Sequence, residues 1–190
     1  MKYRRFGRTG LEVSELGFGG GRSGGILIDA DDDTRRAAVR RSLDLGVNWF
    51  DTAPQYGDGK SEEALGWLLE EIEETPFVST KVRVDLTQPD LAGQVERSLD
   101  QSLKRLRRDS VDLLQIHSPI TPEATARTIT PGDVLDKGGV ADGMERLRDA
   151  GRARFLGLTV LGDRAATRCV IESGRFDSAQ VYYNLIAPSA

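Results

Sequence analysis

The chain has one cysteine and one histidine in 190 residues. A single cysteine, Cys169, excludes an intramolecular disulfide. It sits among apolar residues in a stretch of helical periodicity, which predicts an inert buried thiol. With no C-x-x-C pair and no second histidine, a zinc site lacks its ligands, and no metal is expected. No apolar run approaches the roughly 18 residues of a membrane span. The opening residues, Met1-Lys-Tyr-Arg-Arg-Phe-Gly-Arg8, carry no apolar signal core, so the expected location is cytoplasmic. An excess of positive charge is missing too. The 26 Lys and Arg are outnumbered by 30 Asp and Glu, for a formal net charge of -4. Nucleic-acid binding needs a basic face and is not expected. The basic clusters Arg4-Arg5, Arg40-Arg41 and Lys104 to Arg108 are offset by Asp31 to Asp33 and Glu70 to Glu74, and read as solvated helix faces.

What is present is an alternation of short apolar strands with amphipathic helices. Tyr3 to Phe6 and Leu11 to Val13 flank Gly7-Arg-Thr-Gly10 and read as a small hairpin. Strands are predicted over Leu16 to Phe18, Val47 to Asp51, Phe77 to Lys81, Val111 to His117, Phe155 to Thr159 and Ala179 to Tyr183. Helices are predicted over Thr34 to Leu45, Ser61 to about Leu69, Leu91 to Leu106, Val140 to Ala150 and Arg164 to Ser173. Ser61 is a plausible cap for the second helix. In the third, Val95, Leu99, Leu103 and Leu106 share one face. Ser118 to Gly139, rich in Thr and Pro, reads as a long loop over the active face. The result is about six strand-helix units at the roughly 30-residue βαβ repeat. Such alternation implies a parallel sheet, either a (β/α)8 barrel or an open doubly wound sheet.

The chemistry collects at strand ends. Asp51-Thr-Ala-Pro-Gln-Tyr56-Gly57 follows an apolar run ending in Trp49 and Phe50. Lys81 closes the next apolar run, and His117 closes the one after. In a barrel, reactive groups come from the C-terminal ends of several strands. A free tyrosine ionises near pH 10, and a nearby ammonium favours its phenolate. A carboxylate paired with that lysine keeps it charged and oriented, and a histidine can orient a carbonyl. Asp51, Tyr56, Lys81 and His117 therefore compose a general-acid site for carbonyl reduction. The hydride has to come from a cofactor.

At these residues the chain resembles the aldo-keto reductases. The resemblance runs from Tyr3-Arg-Arg-Phe-Gly-Arg-Thr-Gly-Leu-Glu-Val-Ser14 and Leu16-Gly-Phe-Gly-Gly20, through Asp51 to Gly57, Ser61-Glu-Glu-Ala-Leu-Gly66 and Ser79-Thr-Lys81. It continues through Asp109 to His117 and Gly151 to Thr159, and ends at Gln180-Val-Tyr-Tyr-Asn184. It implies an incomplete (β/α)8 barrel of α/β class, with residues 1–190 forming one domain, the N-terminal part of the barrel. It also implies reduction of a small aldehyde or ketone with NADP(H), or with NAD(H). Tyr56 would donate the proton, Lys81 modulate it, Asp51 hold that lysine and His117 orient the carbonyl. Gly20 and Gly21, with Asp51, match positions along the cofactor, and Thr159 and Gln180 match positions that hold the nicotinamide carboxamide.

The chain departs from the family pattern in two places. Thr159-Val160 stands where the family has Ser-Asn, and valine cannot replace the asparagine amide. The chain also looks truncated at its C-terminus, without the last two strands, the residue that stacks on the nicotinamide, and the groups around the adenosine phosphate. A sheet without those strands has exposed edges, a route to self-association. Its apolar tail, Tyr182-Tyr-Asn-Leu-Ile-Ala-Pro-Ser-Ala190, has no evident partner. The alternative reading is a non-catalytic cofactor-binding or inactive member of the same fold. Gly19-Gly-Gly-Arg-Ser-Gly24 matches G-x-G-x-x-G, but the next helix is expected only near Thr34, which argues against a dinucleotide fingerprint. Asp31-Asp-Asp33 before Thr34 reads as helix capping.

Overall fold

The structure, a computed structural model, describes residues 1–186. A short hairpin pairs β1 (Tyr3–Arg5) antiparallel with β2 (Glu12–Ser14), with Tyr3 opposite Ser14. A 3-10 turn at Gly7–Thr9 joins them and closes on Gly10 at φ 73°, a conformation suited to glycine. Then follow β3 (Phe18–Gly19), α1 (Ile26–Asp29), α2 (Asp32–Asp44), β4 (Trp49–Asp51), α3 (Lys60–Glu70), β5 (Phe77–Val82), α4 (Leu91–Leu106) and β6 (Val111–Ile116). After these come α5 (Pro131–Leu135), α6 (Val140–Asp149), β7 (Ala153–Thr159), α7 (Arg164–Glu172) and β8 (Ser178–Gln180).

The strand order is β3-β4-β5-β6-β7-β8, the order of the sequence. β3 with β4, β4 with β5, and β7 with β8 pair in parallel. A doubly wound sheet reverses its order at a switch point. A (β/α)8 sheet does not, so the fold is α/β of the (β/α)8 type, with six of its strands among the described residues.

The chain divides into two compact units. The first is Met1–Lys81 with Leu99–Leu113, and the second is Val82–Ser98 with the residues from Leu114 onward. In the first, Phe50, Leu65, Val78, Leu99, Leu106 and Val111 are buried. Phe18 stacks on Phe50 with ring centroids 5.1 Å apart. Gly66 of α3 meets the Arg105–Leu106 backbone so closely that a Cβ there would strike it. In the second, Leu114, Ile116, Met144, Leu156, Leu158 and Val170 form the core. Every residue of β6 is buried, as expected for a parallel strand covered on both faces. Arg175 ties the second unit together, bonding Glu145 and Asp142 of α6 and the Leu135 carbonyl of α5.

Most expected elements appear within a residue or two, α4 with the same bounds. Asp31 caps α2 as expected, accepting a hydrogen bond from the Thr34 amide. Five expectations are corrected. A one-turn helix, α1, opens at Ile26 directly after the glycine-rich loop, where none was expected before Thr34. Ser61 is not the cap of α3. Gly59 is, in a left-handed conformation, while Ser61 is buried and its hydroxyl pairs with that of Thr52 at 2.8 Å. The stretch 118–139 is not all loop, because Thr130 and Asp133 form a capping box with Pro131 at the first helical turn of α5. β8 stops at Gln180, and Val181 to Tyr183, expected in the strand, lie beyond it and are exposed. Cys169 is exposed rather than buried: the inward face of α7 carries Ala166, Thr167 and Val170, and Cys169 falls outside that stripe. The apolar tail is exposed through Leu185 and Ile186, and Ala187 to Ala190 lie outside the described residues.

Candidate active site

The parallel register of β4 and β5 builds the site in the first unit. Asp51 lies opposite Ser79. Successive strand residues point to opposite faces, so Ser79 and Lys81, two apart, share one face, and Thr80 takes the other. The hydrogen bonds follow this alternation. Ser79 Oγ donates to Asp51 Oδ1 at 2.6 Å, and Lys81 Nζ donates to Asp51 Oδ2 at 2.6 Å and to the Thr52 carbonyl at 2.8 Å. On the opposite face Thr80 Oγ1 donates to Glu62 Oε1 of α3.

Lys81 is 1% exposed and Ser79 fully buried. A buried ammonium is tolerated only with a paired charge and satisfied donors. Asp51 and the Thr52 carbonyl meet that need. Tyr56 stands in the turn after β4. Its amide donates to the Ala53 carbonyl at 3.0 Å, and its carbonyl accepts from the Ser61 amide at 3.2 Å. Lys81 Nζ lies 4.7 Å from the centroid of the Tyr56 ring, within cation-π range. Asp51, Lys81 and Tyr56 are thus neighbours in the structure.

The glycine loop borders the same group. The Gly20 amide donates to the Asp51 carbonyl at 2.7 Å, and a Cβ at Gly20 would strike Ser61 Oγ. Gly20 is therefore buried, whereas Gly21 is half-buried, and a Cβ there would sit 3.5 Å from Cε2 and Cζ of Tyr56.

The second unit carries the other three predicted site residues. His117 follows β6 directly and is 9% exposed, its amide donating to the Val82 carbonyl at 2.8 Å. Thr159 ends β7, and its hydroxyl donates to the Ile116 carbonyl at 2.9 Å. Gln180 ends β8 opposite Thr159 and is exposed. Its carbonyl accepts from the Val160 amide at 2.8 Å.

Sequence reasoning passed over two participants. Thr52 acts through its carbonyl, which carries no sequence signal. Ser79 had one: it is two residues before Lys81, hence on the same face.

The fold is a parallel α/β sheet, and near the C-terminal ends of two of its strands a buried, carboxylate-held lysine lies beside a phenol. Residues 15–188 match the aldo/keto reductase family, and the chain belongs to it. It is 32% identical over 168 residues to L-galactose dehydrogenase of Arabidopsis thaliana, covering 85% of this chain and 49% of that protein. It is 32% identical over 170 residues to the aldo-keto reductase YhdN of Bacillus subtilis, covering 84% and 47%. An aldo-keto reductase of Klebsiella pneumoniae in complex with NADPH superposes with a TM-score of 0.73 at 25% identity, covering 96% of this chain and 58% of that one. The chain spans about half the length of the curated relatives it matches. Among the described residues no helix is long and apolar enough to cross a membrane.

Proposed function

We propose that Asp51, Tyr56 and Lys81 form the general-acid site of a reductase that converts an aldehyde or ketone to an alcohol with NADPH or NADH. The observation that carries this reading is the buried ammonium of Lys81, held 2.6 Å from Asp51 Oδ2 and lying 4.7 Å from the centre of the Tyr56 ring. The Tyr56 hydroxyl gives its proton to the carbonyl oxygen as the alkoxide forms. The nearby positive charge favours the phenolate left behind. Asp51 and the Thr52 carbonyl keep that charge in place, so the site is preorganised before substrate arrives.

The residues present fit a nicotinamide cofactor. A hydroxyl has two acceptor lone pairs beside its single donor, so the Thr159 oxygen can still accept from a carboxamide after donating to Ile116. Gln180, exposed on the adjacent strand, offers an amide with both donor and acceptor. Gly21 is half-buried against the Tyr56 ring and carries no side chain of its own. When bound, a reduced nicotinamide supplies the hydride that side chains cannot. Gly20, Gly21 and Asp51 as cofactor positions, and His117 as the group that orients the carbonyl, rest on the family resemblance. A structural neighbour in complex with NADPH supports the choice of cofactor.

The test is Tyr56→Phe, read by NADPH oxidation in the presence of 4-nitrobenzaldehyde. Turnover should fall by at least about 100-fold, the lower range for general-acid catalysis, with NADPH affinity unchanged. Turnover that survives the change assigns the proton to another group. A wild-type chain that binds NADPH without oxidising it is a non-catalytic binding member of the family.

A further inference from the structure

We infer that Ser79 is a positioning residue of this site: it fixes the rotation of the Asp51 carboxylate and, through it, the place of the Lys81 ammonium. This rests on the reductase reading above for its effect on turnover, but not for its effect on Lys81. The Asp51 side chain ends in a broad, roughly two-fold torsion. Nothing intrinsic to it keeps one particular oxygen on the lysine. The fully buried Ser79 hydroxyl supplies that constraint, because its bond to Oδ1 at 2.6 Å leaves Oδ2 directed at Lys81 Nζ, also at 2.6 Å.

The arrangement follows from register. Ser79 lies opposite Asp51 on the neighbouring parallel strand, and Lys81 lies two residues further along the same face. One carboxylate thus receives two donors from one strand, one neutral and one charged. The Asp51 side chain is 17% exposed, so water can reach the carboxylate and would compete for it once the serine hydroxyl is gone. The remaining tie on Lys81, the Thr52 carbonyl, is a single bond, and Thr52 is itself held by the Ser61 hydroxyl. Without Ser79 the ammonium keeps its partners but loses its fixed direction toward the Tyr56 ring.

The test compares Ser79→Ala with Ser79→Thr, which restores a hydroxyl. The first readout needs no turnover. In nitrogen-15-labelled protein, the Lys81 ammonium protons are followed by NMR for exchange with water. Exchange should be about tenfold faster in Ser79→Ala and near wild type in Ser79→Thr, the size expected for one hydrogen bond to a charged group. The second readout is steady-state reduction of 4-nitrobenzaldehyde. There kcat should fall about tenfold in Ser79→Ala with KM for the aldehyde unchanged, and Ser79→Thr should recover most of it. Unchanged Lys81 exchange in Ser79→Ala overturns the inference whether or not the chain turns over. Altered exchange with no turnover in wild type sustains the role of Ser79 and sinks the reductase reading instead.

Discussion

Arg105→Ala should be far more damaging than its surface position suggests. Glu62 of α3 is fully buried, and its carboxylate has two partners: Thr80 Oγ1 on one oxygen and Arg105 Nε at 2.7 Å on the other. The Arg105 side chain is 22% exposed and the Glu62 side chain 0%. Removing the guanidinium leaves a buried carboxylate with one hydroxyl donor. Breaking a buried pair from one side costs about 3–5 kcal/mol. For a domain of this length, at roughly 2–4 °C per kcal/mol, that lowers the melting midpoint by about 6–20 °C. Arg107→Ala is the matched control. Arg107 pairs with Glu70 at 2.6 Å, but the side chains are 50% and 54% exposed, so its loss should cost less than about 1 kcal/mol. Urea unfolding of the two variants, with Arg105→Ala/Glu62→Gln as a third, measures the difference. Neutralising Glu62 should recover a large part of the Arg105→Ala loss. If Arg105→Ala and Arg107→Ala fall within about 0.5 kcal/mol of each other, burial does not govern this pair and the reasoning is wrong.

Two further predictions concern the second unit. Cys169 is exposed on α7, so native protein should take up one equivalent of a maleimide at a rate close to that of the urea-unfolded chain; labelling only after unfolding would contradict its placement. Arg175 holds the Glu145 and Asp142 carboxyls below their ordinary values by hydrogen bonding and charge. A carboxylate with a lowered folded value contributes stability above its unfolded value, near 4.5 for Glu145, and loses it as pH falls through the folded one. Arg175→Ala should therefore cost about 1–2 kcal/mol at pH 7, discounted for partial exposure, and the gap to wild type should close as the pH is taken down through 4 toward 2. A gap that stays constant over that range would assign the loss to packing.

The strand ends that carry the chemistry were legible because each is the last residue of an apolar run. Asp51 ends β4, Lys81 is the penultimate residue of β5, and His117 directly follows β6, each within one residue of where the hydrophobic pattern places it. What the pattern missed is short or nonlocal. The helices α1 and α5 have four and five residues, too few to show a period. Ser61 has the chemistry of a cap, but the left-handed Gly59 begins α3 earlier and turns that hydroxyl inward to Thr52. Cys169 was judged by its apolar neighbours, whereas its exposure is set by the rotation of α7 about Ala166 and Val170. The Ser79–Asp51 bond depends on inter-strand register, which a sequence does not display one strand at a time.

The measurement that bears most directly on the central claim is a thermal melt of the 190-residue chain with and without saturating NADPH. A ligand that binds only the native state at about 100 times its Kd adds about 2.7 kcal/mol, which at this chain length raises the midpoint by about 5–11 °C. A cooperative transition that moves up by that amount is the predicted result. A transition that ignores NADPH would contradict the claim that these residues serve a nicotinamide-dependent reductase.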